Sequence, residues 1–409
     1  MAKKIVVIGA GPAGMMAAIA AAEAGAEVTI LERNPRPGRK LAITGKGRCN
    51  VTNACEMREF LTHVTSDPRF LYSTLSAFSC ADVMQFVEEL GVPLKVERGA
   101  RVFPVSDRAQ DVVDAFCAEM RRHGVNLVCD RATALEYDCE GRPSAVVGEA
   151  GKYPCNAVII ATGGCSYPLT GSTGDGYIFA RAAGHTVIQP RPSLVPLVSP
   201  DRFCADCMGL SLRNVRVTLF REDKEIYSDF GEMLFTHFGL SGPCILSAST
   251  RMEKKGRYRV VIDLKPALTD AQLDARILRE IDESPRRELR GLLRTLVPGK
   301  MLDPFIVRNG FDANKRSAEL SRGDREDIIR ALRELTIPIS GMRPIDEAIV
   351  TAGGVNTREI DPKTMESRKI KGLYFAGEVM DVSAETGGYN LQIAFATGRA
   401  SGIAAANEF

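Results

Sequence analysis

Lys4-Ile5-Val6-Val7-Ile8-Gly9-Ala10-Gly11-Pro12-Ala13-Gly14 begins as a β-branched apolar run and breaks on a G-x-G-x-x-G turn. A small-residue helix is expected from about Ala13 to Ala24, and a second strand, Glu27–Leu31, closes on the carboxylate of Glu32. Strand, glycine turn, helix and strand-end acid in this order form the unit that holds a dinucleotide. Gly9 permits the tight turn, Gly11 lets a pyrophosphate approach the backbone, and Gly14 lets the helix pack closely on the sheet. The free N–H groups of the turn and the positive end of the helix dipole face the phosphates. Glu32 suits both hydroxyls of a ribose and would repel a 2′-phosphate.

The chain's 409 residues exceed what one core usually serves, so two or three domains are expected. With 45% hydrophobic residues, 25% charged residues and a net charge of +2, the composition gives no support to a nucleic-acid or membrane partner. Trp is absent, and no apolar run approaches the ~18–20 residues a bilayer span needs. Met1-Ala2-Lys3-Lys4 leads straight into the first strand without a signal-like segment, so a cytoplasmic location is expected. The eleven cysteines are scattered and read as reduced, packed thiols. Cys204-Ala205-Asp206-Cys207 is the only C-x-x-C; without a second ligand pair or a nearby histidine it argues for no metal site.

Alternating β and α patterns fill the first half, with helices expected at Asp82–Leu90 and Gln110–His123. Ala157-Val158-Ile159-Ile160-Ala161 reads as a fully buried parallel strand that stops at Gly163-Gly164. From Gln189 to about Leu264 the pattern turns strand-rich, and from Thr269 to Leu335 charged and helical. β/α character returns after Pro338, and a last small-residue helix is expected from Gly388 to about Ala405. The expected fold class is α/β: a two-part Rossmann-like domain interrupted by a β-rich domain and a small helical one. Its boundaries are 1–190, 191–268, 269–328, 329–340 and 341–409, the first and last forming the dinucleotide domain.

Three apolar strands, Ile160–Gly164, Val350–Gly354 and Leu373–Gly377, end at glycines. Ligands of open α/β sheets lie beyond the carboxyl ends of the strands, so widely separated ends suit a long ligand such as FAD. Gly377-Glu378 is placed for its ribityl or pyrophosphate part. Gly387-Gly388-Tyr389-Asn390 opens a helix whose N–H groups can face the flavin's pyrimidine edge.

Gly38-Arg39-Lys40-Leu41-Ala42-Ile43-Thr44-Gly45-Lys46-Gly47-Arg48-Cys49-Asn50-Val51-Thr52-Asn53 resembles a hallmark of the HI0933-like flavoproteins, the YhiN/BaiN-type family also called the aminoacetone oxidase family. The likeness continues through Arg101–Asp107, Ala161–Tyr177, Gly231–Pro243, Thr351–Val355 and Gly372–Gly398. It implies an FAD-binding two-dinucleotide-fold domain with a β-rich and a helical insertion. Carried over, Gly9, Gly11, Gly14, Glu32, Arg33, Lys40, Gly377, Glu378 and Asn390 match FAD-contacting positions, and Gly45, Gly47, Arg48 and Asn50 a loop beside the flavin. Pro12, Ala13, Thr162, Gly163, Gly388 and Leu391 fall within the same turn, strand end and helix opening and are further candidate contacts. Lys46 departs from the family's small residue at that place.

A flavin carries the redox chemistry, so the sequence demands no particular acid or base. His237, between Phe235-Thr236 and Phe238-Gly239, and Tyr167 are the candidate catalytic proton donors; a packed loop histidine and a tyrosine packed on the ring are the competing readings. His63, His123 and His185 read as surface or packing residues. Cys49 and Cys55 lack the C-x4-C spacing of flavin disulfide reductases, and no second G-x-G-x-x-G marks an NAD(P)H domain. The resemblance implies an FAD-dependent oxidoreductase acting on a small molecule. The favoured activity is NADH- or NADPH-linked reduction of a conjugated C=C, as in a 3-oxo bile-acid intermediate. Oxidation of a small amine such as aminoacetone by O2 is the alternative; assistance to tRNA modification and non-catalytic flavin binding are readings from other classes.

Overall fold

The computed structural model describes residues 2–252 and 255–407. They form two compact units, one from the segments up to Ser193 and from Ile345 onward, the other Leu194–Pro344.

The first unit is built on five parallel strands: β1 (Lys4–Ile8), β2 (Glu27–Glu32), β3 (Asn126–Cys129), β4 (Ala157–Ile160) and β5 (Leu373–Phe375), in the order β5-β4-β1-β2-β3. β4 and β5 are buried throughout, as a sheet covered on both faces requires. This is the Rossmann-type sheet that the opening turn announced. The first helix, Pro12–Glu23, has no polar face: every residue from Ala13 to Ala21 is buried. It is covered by the closing helix, Tyr389–Asn407. The two backbones touch through small residues, because a Cβ on Gly398 would lie 2.3 Å from the Ala13 carbonyl oxygen, and one on Gly402 2.3 Å from that of Ala17.

One strand departs from the sequence expectation. Val350–Val355 does not join the parallel sheet but pairs antiparallel with Val187–Ser193, and Gly353 and Gly354 lie inside it. A Cβ on Gly353 would meet the Gln189 carbonyl oxygen at 2.5 Å, and one on Gly354 that of Val379 at 2.6 Å. These glycines let backbones pass closely; they do not end the strand. Two glycine-ended strands, β4 and β5, therefore reach the carboxyl edge of the sheet, not three.

The second unit holds a seven-stranded antiparallel sheet in the order Leu335–Ile339, Tyr258–Asp263, Ser211–Arg221, Lys224–Thr236, Gly239–Ser241, Leu197–Val198, Gly341–Met342. The helices Asp270–Glu283, Leu289–Leu296, Gly299–Asn309 and Arg322–Arg333 share one apolar cluster with it, through Leu273, Leu293, Phe305 and Leu332. Cys204 and Cys207 are buried in that cluster, and burial pushes their thiols up to about 11 and about 12. No helix among the described residues is long and apolar enough to cross a membrane.

His185 in the first unit is buried, with Nε2 2.7 Å from Ser367 Oγ. Glu359 Oε2 lies 3.2 Å from Nδ1 but off the direction of a hydrogen bond. Burial holds the His185 pKa below its ordinary value of 6.5. Burial opposes ionisation of Glu359 too, but bonds from Lys369 and Thr186 outweigh it and hold its pKa at about 2, against an ordinary 4.5. In both cases the unfolded chain binds a proton that the folded chain refuses, so acid destabilises the fold. Thermal melts should fall as pH drops below 6.5 and fall further between 4.5 and 2. His185→Gln should flatten the upper limb alone; an unchanged limb would refute the assignment.

Candidate functional site

The site grows from the β1 turn. Gly9 has φ +101, and its N–H donates to the Leu31 carbonyl at 2.8 Å, tying the turn to β2. A Cβ on Gly14 would lie 1.8 Å from the Gly9 carbonyl oxygen, whereas one on Gly11 would meet nothing within 4 Å. Gly14 thus serves the packing, while Gly11 keeps a surface bare. Gly11 caps the first helix with no side-chain bond, and Pro12 brings no N–H, so the N–H groups of Ala13 and Gly14 head an uncapped helix end. Glu32 at the end of β2 reaches back: Oε2 accepts from the Ala10 N–H at 2.9 Å, and Oε1 from Asn34 N and Nδ2 at 2.9 and 2.7 Å. Its half-buried carboxylate keeps lone pairs for further donors. Arg33 turns instead to Thr173 and Asp175, at 2.5 and 3.2 Å.

A second group gathers where β4 and β5 end. Lys40 Nζ bonds Glu378 Oε2 and Ser166 Oγ, each at 2.7 Å. Glu378 Oε1 accepts from Ser166 Oγ at 2.9 Å and from the Thr351 N–H at 2.8 Å. Thr351 Oγ1 accepts from the N–H groups of Cys165 and Ser166. Thr162 and Gly163 are half-buried just beyond β4. Gly377 follows β5 after Ala376 and donates its N–H to Thr397 Oγ1 of the closing helix at 3.0 Å. Ser166 and Thr351 were not singled out from the sequence. They lie inside the quoted family stretches, and only the meeting of four separate segments marks them.

The opening of the closing helix forms the third group. Gly388 has φ +99, and a Cβ there would sit 2.2 Å from the Thr52 carbonyl oxygen. Its N–H is accepted by the Asn50 side-chain oxygen at 2.9 Å, while the Asn50 amide nitrogen donates to the Val102 and Thr52 carbonyls. Asn390 braces the preceding loop through Ala384 and Glu385, and Leu391 is half-buried beside it. Gly45 and Lys46 interrupt the helix Arg39–Gly47 with left-handed φ values of 57 and 59, and Lys46 is exposed. A non-glycine residue there costs about 1 kcal/mol, so Lys46→Gly should raise the melting temperature slightly. A lowered value would show that Lys46 makes contacts worth more than its strain. Gly47 faces open space, and Arg48 is engaged by Glu97 and Asp107 over the Phe103 ring. Cys49 is buried, and its thiol is pushed up to about 12.

The residues present fit a flavin dinucleotide: an uncapped helix end above a bare glycine, a strand-end acid, and a second helix end behind Gly388. Of the two candidate proton donors, Tyr167 lies in the first unit, exposed with φ +51. His237 lies in the second, exposed at the turn between Lys224–Thr236 and Gly239–Ser241, with its ring 5.0 Å from Phe238. Neither side chain has a hydrogen-bond partner among the described residues.

The family described as HI0933-like protein Rossmann domain matches residues 3–404. The chain belongs to this family. The HI0933-like chain is 34% identical to a 3-dehydro-bile acid delta(4,6)-reductase of Clostridium scindens, over 98% of this chain and 99% of that protein. It is 31% identical to a ribosomal RNA dihydrouridine synthase of Escherichia coli, over 96% and 95%. Among solved structures, a 3-ketosteroid-delta4-(5alpha)-dehydrogenase of Rhodococcus jostii shares the fold of this HI0933-like chain, with a TM-score of 0.53 at 16% identity over 99% and 97%.

Proposed function

We propose that this FAD-dependent oxidoreductase uses NADH or NADPH to reduce a carbon–carbon double bond conjugated to a carbonyl, in a 3-oxo steroid of bile-acid type. One observation carries the reading. Two full-length relatives with unlike substrates, a bile acid and a uridine, are both named for saturating such a bond. FAD, when bound, supplies the hydride chemistry.

The chain's own residues account for holding the cofactor. The uncapped N–H groups of Ala13 and Gly14 and the dipole of the first helix favour the pyrophosphate, which approaches over bare Gly11. Glu32 accepts from ribose hydroxyls while keeping its bonds to Ala10 and Asn34. Lys40, Ser166 and Glu378 form a neutral, fully bonded patch at the ends of β4 and β5. Asn50 holds the Gly388 N–H, and the N–H groups that follow at the helix opening would stabilise negative charge on the bound flavin.

A second substrate, a uracil base in ribosomal RNA, is favoured by the likeness to the dihydrouridine synthase. Anaerobic mixing of the flavin-loaded protein with NADH or NADPH tests the donor, and should bleach the flavin band. The reduced protein is then offered a 3-oxo-4,6-diene bile acid or ribosomal RNA. Reoxidation by the steroid alone supports the first reading, and by the RNA alone the second. Absence of bleaching with either nucleotide would sink the reductase reading and direct attention to amine oxidation with O2.

A further inference from the structure

Conjugate reduction needs an acid as well as a hydride. When hydride reaches the β-carbon, the π electron pair shifts toward the α-carbon and carbonyl oxygen, and a proton must arrive at the α-carbon. A histidine without evident context in the sequence is the one the fold equips for this. His63 follows the helix Met57–Thr62, and its Nδ1 lies 2.8 Å from Glu385 Oε2. Its ring stacks on Tyr389 at 4.5 Å and 16°, and Tyr389 in turn meets Phe60 edge-on at 5.1 Å.

The backbones are strapped together as well. Glu385 N–H donates to the His63 carbonyl, Thr65 N–H donates to that of Ser383, and Val64 bridges Ala384. The segment so held runs directly into Gly387-Gly388 and the closing helix, the helix opening that would face the flavin's pyrimidine edge. Glu385 is buried behind the imidazole, whereas the His63 side chain is 31% exposed. Nε2 has no partner among the described residues. Burial pushes the Tyr389 phenol up, and Cys55, Glu59, Glu385 and Cys80 add to that.

The remaining histidines lack this arrangement. His123 is spent on Glu119 and Arg122, His185 is sealed in, and His237 has no carboxylate partner among the described residues. A carboxylate on Nδ1 fixes the ring and leaves Nε2 as the working atom.

We infer that His63, oriented by Glu385, is the proton donor to the substrate's α-carbon. The inference rests on the reductase reading. The hydride, originating in NAD(P)H, forms the new C–H bond at the β-carbon. The N–H bond at Nε2 breaks as the second C–H bond forms, and neutral His63 regains its proton from solvent through its open edge.

His63→Gln and Glu385→Gln in the flavin-loaded protein test this by separating the half-reactions. His63→Gln should be reduced by NAD(P)H within about twofold of wild type, while reoxidation by the conjugated carbonyl slows at least about a hundredfold and loses its decline at high pH. Glu385→Gln should slow reoxidation by about tenfold and shift the same pH limb. In isotope-labelled histidine spectra, the saturated product should move the His63 Nε2 resonance. Reoxidation of His63→Gln at the wild-type rate and pH profile overturns the assignment. Equal loss of both half-reactions in both variants also overturns it, marking a structural role. Failure of wild-type protein to reduce any conjugated carbonyl, steroid or uracil, removes the reductase reading and this assignment with it.

Discussion

Gly11→Val should leave the apoprotein folded but nearly colourless, whereas Gly14→Val should fail to fold. The two positions share one turn and one motif, yet their surroundings are opposite. A Cβ at Gly11 meets nothing within 4 Å, and its φ of −80 suits any L-residue. A branched group there would occupy the space through which the pyrophosphate would approach. Valine there should weaken FAD at least about a hundredfold, since each tenfold is about 1.4 kcal/mol and the phosphate would lose close backbone contact. Any substituent at Gly14 collides with the Gly9 carbonyl 1.8 Å away, inside a layer buried on all sides. Flavin absorbance after gel filtration, set beside the melting temperature of the FAD-free protein, separates the two effects. Full flavin retention by Gly11→Val would remove the pyrophosphate from this turn.

Gly398→Leu should be as damaging from the other end of the chain. The closing helix approaches the first so nearly that a Cβ at Gly398 or Gly402 would overlap the carbonyl of Ala13 or Ala17 at 2.3 Å. Leucine must push the helices apart, costing about 3 kcal/mol or more of stability by overpacking. Cofactor should be held more weakly as well, because Ala13 lies in the turn and Gly377 packs against it, its own Cβ position 2.8 Å from that of Ala13. Chemical denaturation should show a midpoint shifted far down, with flavin released before the main transition. A variant of wild-type stability would mean that the two helices are not in register as described.

The strand–turn–helix–strand unit at the start of the candidate site was legible in the sequence because its physics is local. Gly9, Gly11, Gly14 and Glu32 lie within one strand–helix–strand unit, and their spacing alone brings them together at the ends of β1 and β2. The first helix and the strand Ala157–Ile160 were legible for the same reason: apolar runs bounded by glycine. Val350–Val355 was misread because a strand's sequence does not reveal its partner, and glycines that let backbones pass look like glycines that end a strand. Ser166, Thr351 and the His63–Glu385 pair were invisible for a related reason. Glu385 is 322 residues from His63, and neither has a motif that calls for the other.

The placing of β5 and the closing helix bears on how the protein is made. A chain emerging from the ribosome presents β1 to β4 long before β5, which supplies the outer partner of β4. Until then the apolar edge Ala157–Ile160 stays unpaired, and the first helix lacks the neighbour that covers its outer side. At about 5–20 residues per second, the stretch from Ile160 to Leu373 takes from ten seconds to most of a minute to appear. The intervening unit, Leu194–Pro344, has its own core and sheet and is finished first. The dinucleotide unit, although it starts the sequence, is therefore the last to become whole. Throughout that interval the edge of β4 is open to pairing with another strand.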